Sequence, residues 1–240
     1  MEGAEQMLAF CRALPKVELH AHINGCIRDS TLSALCRDSA DPEVREFVVP
    51  PAEERSLSQC FQLFDVIHKA VSSIAAVERV AAEVIEDFAA DGVCYCELRS
   101  AARSPTTPPT LPSAQPLVVG VRSTTPRGDC TDRDGRVASR ADYVRAISSV
   151  VRRSETLPSS RRMVVRLLLS VDRSRTPAEA LEVVRLAHEF SVAGGGAGGG
   201  YVVGVDFSGN PASGEFGEFE AVFGEARRLG LPIAAHVGEL

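Results

Sequence analysis

The stretch LPKVELHAHINGCIR, residues 14–28, decides the fold of this chain and indicates its chemistry. It contains a β-like apolar run, KVELHAH (16–22), in which His20 and His22 alternate. Side chains two positions apart on a strand point to the same face, so both imidazoles can meet one metal ion. A single histidine on a strand is more often a satisfied core or surface residue. The pair at the C-terminal end of the strand favours metal binding.

Similar apolar runs recur along the chain and alternate with amphipathic helical stretches. One helix is predicted to begin at Thr176, where Pro177 and Glu179 complete an N-terminal capping pattern. The alternation predicts parallel β-α-β units in one α/β domain spanning residues 1–240. The predicted strands are KVELHAH (16–22), VCYCELRS (93–100), MVVRLLLSVD (163–172), YVVGVDFSG (201–209) and PIAAHVGE (232–239). The predicted helices span residues 30–39, 57–73, 75–92, 176–190 and 216–230.

Two low-complexity segments interrupt this pattern. The first is the Pro-rich SPTTPPTLPSAQP (104–116), and the second is the Gly-rich AGGGAGGG (193–200). Each joins a helix–strand repeat that continues on the other side, and long surface loops cost little free energy. We therefore expect both to be flexible surface insertions within one domain.

Composition excludes several classes of partner. The formal net charge of −6 disfavours a nucleic-acid backbone, which would require a basic face. No run of ~18 apolar residues occurs, so no membrane span is expected, and the N-terminus does not read as a secretory signal. The seven cysteines are odd in number and scattered, which is typical of reduced thiols in a cytosolic protein. Small anionic substrates remain possible.

Two further motifs lie in the second half of the chain. AAHVGEL (234–240) places His236 at the end of an apolar run, with Glu239 three residues on. A third imidazole and a carboxylic acid beside a metal-activated water suit hydrolysis, although alone this motif could be a strand end with a solvated Glu. In GVDFSGNP (204–211), Asp206 could orient a neighbouring ligand and Gly209 could expose its backbone to a flat ring. That motif could equally be a strand followed by an Asx turn.

Taken together and in this order, the three motifs resemble those of the adenosine deaminase family, and most closely its adenosine deaminase-like branch. The resemblance runs from about Leu14 to Leu240. It implies a TIM-type (β/α)8 barrel of ~250 residues or more, of which only about the first five strands are present here. It also implies zinc-dependent hydrolytic deamination at purine C6, most closely of N6-methyl-AMP to IMP plus amine, with one zinc ion per chain. The implied partner is a small purine nucleoside monophosphate.

The resemblance also assigns roles to individual residues. His20, His22 and His236 match the zinc-binding imidazoles, and Glu239 matches the catalytic acid that protonates the purine. Gly209 matches a glycine whose backbone contacts the purine, with Asp206 as the supporting carboxylate behind it. The other positions where this branch contacts substrate are His22, Asn24, His68, Ser100, Ala101, Ala102, Arg103 and Asp172. His68 could instead be a helix-surface histidine, whereas Arg103 offers a fixed fork of donors to a phosphate.

The residue at position 24 bears on the expected preference between nucleotide and nucleoside substrates. Adenosine-specific relatives carry an Asp at this position, so the neutral Asn24 removes repulsion against a 5′-phosphate. Conversely, Ala101 and Ala102 stand where the branch has Thr-Pro, which removes one hydroxyl that could bind phosphate. The alternatives are an adenosine or adenine deaminase, another zinc amidohydrolase on the same barrel, or a truncated form without activity. Because five strands leave a barrel open, we expect little or no turnover from these 240 residues alone and at most weak zinc binding.

Overall fold

The computed structural model describes residues 2–49, 57–102, 131–132, 135–156, 163–192, 195, 199–211 and 213–238. In these residues, strands and helices alternate as the hydrophobic pattern predicts. The strands are β1 (Lys16–His22), β2 (Val93–Ser100), β3 (Val164–Asp172), β4 (Val202–Ser208) and β5 (Ile233–Ala235). The α-helices are α1 (Glu2–Ala13), α2 (Asp29–Arg37), α3 (Pro42–Arg45), α4 (Leu57–Ala70), α5 (Ile74–Ala90), α6 (Arg140–Ser154), α7 (Pro177–Phe190) and α8 (Glu220–Arg228). Short 3-10 helices span Ile23–Cys26 and Phe216–Phe219.

The five strands form one parallel sheet in the order β1-β2-β3-β4-β5, so each strand pairs with the next one along the chain. The sheet curls into a half-barrel, with β1 and β5 at its two edges. The carboxyl ends of all five strands lie at the same rim because every pair is parallel. Residues that follow β1 and β5 in sequence therefore approach each other across the curl.

Strand alternation separates an apolar outer face from a polar inner face. Leu98, Leu169 and Val205 point outward and are almost fully buried against the helices. Their neighbours in sequence point to the inner face of the curl, where three of them are polar and nevertheless buried: Arg99, Ser170 and Asp206. Buried polar groups need hydrogen-bonding partners, so these three side chains identify the inner face as the place to look for a site.

Helix starts follow local sequence signals. Thr176 and Glu179 form the predicted capping box at the start of α7, and Ser139 and Asp142 form another at the start of α6. α6 was not predicted because its sequence, RADYVRAISSVVRRS, is rich in charged and hydroxyl side chains that mask the helical period. α1 was not predicted either.

Most predicted boundaries differ from the structure by one or two residues, and three of the differences are notable. Regular pairing of β5 ends at Ala235, before the predicted end at residue 239, although the backbone N–H of His236 still donates to the carbonyl oxygen of Phe207 at 3.0 Å. The helix predicted over 57–73 ends at Ala70, and the one predicted over 216–230 begins with a 3-10 turn. The segment 104–116 and most of 193–200 lie outside the described residues.

Two apolar side chains of β1 are exposed in this structure. Val17 is 59% exposed and Leu19 is 51% exposed, although both side chains are apolar. A five-stranded sheet was expected to leave such a surface. In the described part of the chain, no helix is both long and apolar enough to cross a bilayer.

Candidate metal centre

The two histidine motifs meet at the carboxyl rim of the sheet, although more than 200 residues separate them. His20 and His22 end β1, and His236 directly follows β5. The Nε2 atom of His236 lies 2.7 Å from the Nε2 of His20 and 3.1 Å from the Nε2 of His22. Ligand atoms of all three rings lie within 4.8 Å of one another. The structure thus brings together the three imidazoles that the sequence singles out.

The donor set fits a divalent cation that prefers nitrogen ligands. Two ligands at Zn–N distances of 2.0–2.1 Å in tetrahedral geometry stand ~3.3 Å apart. The observed 2.7 and 3.1 Å therefore require the rings to move apart by only a few tenths of an ångström. Three imidazoles also leave a tetrahedral ion one open position, as in catalytic sites. We denote His20, His22 and His236 the histidine triad.

The ring of His236 is held by the scaffold through its other nitrogen. Its Nδ1 lies 3.0 Å from the carbonyl oxygen of Phe207 and 3.2 Å from Oδ1 of Asp206. Both neighbours accept hydrogen bonds, so Nδ1 carries the proton and the Nε2 lone pair is directed into the triad. Arg173 fixes the backbone at the same place, since its Nη2 donates to the carbonyl oxygen of His236 at 3.1 Å.

Asp206 is fully buried and its charge is compensated. Its Oδ1 accepts a hydrogen bond from Nη1 of Arg99 at 2.6 Å, and its Oδ2 accepts one from Oγ of Ser170 at 3.1 Å. A buried carboxylate is tolerated only with such partners. Asp206 is therefore a fixed anion behind the imidazole of His236, which is the arrangement typical of outer carboxylates at metal sites.

Burial also prepares the triad for ligation. The pKa of His22 is lowered from 6.5 to about 4, and burial is the largest cause of this shift. The charge of nearby Asp206 opposes it. The pKa of His20 is lowered as well, first by burial and then by the charge of Arg99. Because only a neutral imidazole offers a lone pair to a metal, these shifts keep both rings able to bind a cation at neutral pH.

Two of the predicted substrate-contacting residues, Gly209 and Asp172, are adjacent at the same rim. Gly209 follows β4 with a φ of +107°, and a Cβ added there would lie 2.5 Å from Oδ1 of Asp172, at the end of β3. Only glycine fits this left-handed position without strain. The carboxylate of Asp172 accepts hydrogen bonds from the backbone N–H and Oγ of Ser174. The half-buried backbone of Gly209, which carries no side chain, therefore lies beside the carboxylate of Asp172.

The last residue of β2 and the two residues that follow it are buried or half-buried. The hydroxyl of Ser100 is buried and hydrogen-bonds the phenol of Tyr143 on α6 at 2.8 Å, so it points into the helical layer. Ala101 is half-buried and Ala102 is buried. The side chain of Ser100 is therefore already hydrogen-bonded within the helical layer.

Of the remaining predicted residues, the structure describes two and leaves two outside the described ranges. Asn24 is half-buried in the 3-10 helix that directly follows β1, and His68 is half-buried on α4. Arg103 and Glu239 lie outside the described residues. The structure thus gives no placement for the predicted catalytic acid or for the predicted phosphate-binding arginine.

Three polar residues of this site were missed by sequence reasoning. Arg99 and Ser170 hold Asp206, and Arg173 holds the backbone of His236. Strand parity could have found the first two, because each lies at an inner-facing position of an otherwise apolar strand. Arg173 carried no signal, since it follows β3 in a turn.

Comparisons with known proteins show the family of this chain. The model of the adenosine deaminase family matches residues 15–240. An N6-mAMP deaminase of Arabidopsis thaliana is 37% identical over 239 residues, which cover 97% of this chain and 62% of the relative. The chain therefore spans about 60% of the length of the curated relatives that it matches.

Solved structures give the same result for the fold. Arabidopsis ADAL complexed with IMP superposes with a TM-score of 0.71 at 35% identity, covering 96% of this chain and 60% of that one. An amidohydrolase from B. ambifaria, solved with bound Zn, superposes with a TM-score of 0.68 at 23% identity, covering 97% and 54%. These neighbours are TIM-barrel proteins, so the predicted fold class is confirmed: the five strands are part of such a barrel.

Proposed function

Because this chain belongs to the adenosine deaminase family, we propose that it takes part in hydrolytic deamination at purine C6, with N6-methyl-AMP as the preferred substrate. The products are IMP and methylamine, and water supplies the oxygen. The single observation that carries this proposal is the histidine triad: three imidazole nitrogens from β1 and the end of β5 lie close enough to bind one cation. The similarity to an N6-mAMP deaminase supports the choice of substrate.

We propose zinc as the cation, with one ion per chain held by His20, His22 and His236. Three neutral imidazoles with an open fourth position are a donor set that zinc accepts readily. A zinc ion bound there supplies a water of lowered pKa for attack on the purine. The scaffold contributes the tautomer of His236, because Phe207 and Asp206 keep the proton on Nδ1.

We assign the other chemical roles to the residues that match the family motifs. Glu239 delivers a proton to the purine ring nitrogen, as its match to the family motif implies. The backbone of Gly209 contacts the flat ring, which its lack of a Cβ permits. His68, Asp172 and the segment from Ser100 to Arg103 complete the substrate contacts.

A nucleotide is favoured over a nucleoside because Asn24 is neutral. A carboxylate at this position would face the 5′-phosphate, and two unit charges 4 Å apart repel by about 1 kcal/mol even in water and by more at a protein surface. The scattered cysteines suit a reducing compartment, so we place the protein in the cytosol.

The test is a substrate panel with the purified, zinc-supplemented chain. N6-methyl-AMP, AMP, N6-methyladenosine and adenosine are incubated separately, and the deaminated products are quantified by mass spectrometry. Since the chain spans about 60% of its relatives, long incubations are needed. We expect at most slow product formation, mainly from N6-methyl-AMP, and none above background from a His236→Ala control. Preference for a free nucleoside, or product formation that survives in the control, would refute the proposal.

Asn24→Asp is the sharper variant. It adds one carboxylate at the position that faces the phosphate in the proposed complex. We expect turnover of N6-methyl-AMP to fall roughly fivefold or more, whereas turnover of N6-methyladenosine stays unchanged. Equal effects on both substrates would show that Asn24 does not face the phosphate.

A further inference from the structure

Arg99 occupies a position that connects the two halves of the histidine triad. It lies on the inner face of β2 and is 7% exposed. Its Nη1 donates to Oδ1 of Asp206 at 2.6 Å, and its Nη2 donates to the carbonyl oxygen of Leu19 at 2.8 Å. Asp206 stands behind His236, and Leu19 immediately precedes His20. One guanidinium therefore links the peptide next to one ligand with the carboxylate behind another.

This link spans a distance that the sheet alone does not fix. β1 and β5 are the two edges of the curl and are not paired with each other, since β2, β3 and β4 lie between them. Small changes in twist at each strand pair would add up at the edges. A rigid, planar donor fork that holds both sides sets their separation directly.

The energetics favour a positioning role over a purely stabilising one. A buried ion pair costs about as much desolvation as it regains, and apolar replacements are often no less stable. Arg99 also lies on the inner face, whereas the main core lies between the outer face and the helices. Both hydrogen bonds of Arg99 end beside ligands of the triad. The effect of Arg99 should therefore be measured as metal affinity.

We propose that Arg99 is a positioning residue for the histidine triad: by holding Asp206 and the Leu19 carbonyl together, it sets the spacing of His20 and His236 for metal binding. This proposal rests on the proposed function, because it assumes that the triad binds a divalent cation. It concerns the metal site itself, so it is tested by metal affinity and requires no turnover.

The experiment compares zinc binding by the wild-type chain with three variants, using competition with a chromophoric chelator. Arg99→Met removes both hydrogen bonds at similar volume. Arg99→Lys keeps the buried cation, but an ammonium cannot reproduce the fork. Arg166→Met is the matched control: Arg166 lies on the inner face of β3, and its Nη1 donates to the carbonyl oxygen of Val165 in its own strand. Circular dichroism and thermal unfolding without metal establish that each variant is folded.

We expect Arg99→Met to weaken zinc binding by about 10- to 100-fold, the range seen when outer partners of metal ligands are removed. Arg99→Lys should fall between it and the wild type, and Arg166→Met should match the wild type. Wild-type affinity in a folded Arg99→Met, or an equal loss in Arg166→Met, would overturn the proposal. If Arg99→Met does not fold, Arg99→Lys decides, because undiminished affinity there would show that the fork is not needed.

Two failures remain distinguishable in this design. If the wild-type chain binds no zinc, the proposed metal site fails and the role of Arg99 fails with it. If the wild type binds zinc and both Arg99 variants bind it equally well, only the role of Arg99 fails. As an independent readout, nitrogen NMR of His236 in the metal-free protein should report the Nδ1-protonated tautomer in both the wild type and Arg99→Met, because Phe207 and Asp206 still accept that proton. Weaker zinc binding with an unchanged tautomer then reports the spacing of the triad, whereas a changed tautomer would count against the proposal.

Discussion

The two ends of the histidine triad are held very differently. The ring of His236 is fixed through Nδ1 by Phe207 and Asp206, and its backbone is fixed by Arg173. By contrast, His20 is exposed, and in the described ranges the only hydrogen-bond partner of its ring is the imidazole of His236. The β5 end is thus an anchored half, whereas the β1 end is an open half, because in the described residues the rings of His20 and His22 hydrogen-bond only the imidazole of His236. Preorganisation of one half lowers the entropy cost of binding.

The largest effect is expected when the anchored half loses its buried charge. Asp206→Ala leaves Arg99 buried without its carboxylate, and breaking such a pair from one side costs about 3–5 kcal/mol. Urea unfolding of the metal-free chain measures this change in the free energy of unfolding. The matched control is Asp87→Ala, which breaks an Arg–Asp pair that is largely exposed on the surface with Arg28. Similar losses in both variants would show that the inner-face pair is not special.

The second prediction concerns the pH dependence of the open half. The pKa of His22 is about 4 in the folded chain and 6.5 when unperturbed, so the unfolded state binds more protons between these values. The metal-free chain should therefore be most stable above pH 6.5 and lose at most about 3 kcal/mol as the pH falls to about 4. His22→Gln should flatten this part of the curve. An equally steep decline in that variant would mean that another group titrates there.

The smallest expected effect compares the two halves directly as metal ligands. His236→Ala removes the central, preorganised ring, and His20→Ala removes an exposed ring that has to be ordered on binding. We expect zinc affinity to fall further in the first variant, by roughly tenfold or ~1.4 kcal/mol. Chelator competition under identical conditions measures the difference. Equal losses, or a larger loss for His20, would remove the distinction between an anchored and an open half.

Much of the fold could be predicted from local patterns. All five strands were located within a few residues, since parallel strands buried on both faces carry a strong apolar signal. The capping box of α7 was predicted because Thr176 and Glu179 act within one helical turn. α6 was missed because its buried face is interrupted by polar side chains. β5 was predicted too long because periodicity cannot show where pairing with β4 stops.

In the candidate site, too, features set by local sequence could be predicted and long-range contacts could not. His20 and His22 could be paired from sequence, since strand geometry alone puts them on one face, and His236 was added through its motif. The bonding of the Ser100 hydroxyl to Tyr143 could not be foreseen, because α6 was not predicted and the contact joins residues 43 positions apart. The interactions of Arg99 with Asp206 and Leu19 span 107 and 80 positions, and they could not be predicted from the sequence either.

The sequence by itself determined the approximate strand positions, the family and the three candidate metal ligands, because these depend on residue type, on spacing along a strand or helix and on short motifs. Only the tertiary structure decided how the imidazoles are held: which nitrogen of His236 is free, which carboxylate stands behind it and which arginine joins the two edges of the sheet. The physical reason is that hydrogen bonds and pKa shifts depend on distances through space. Those distances are set by the curl of the sheet, which no single segment of the chain encodes.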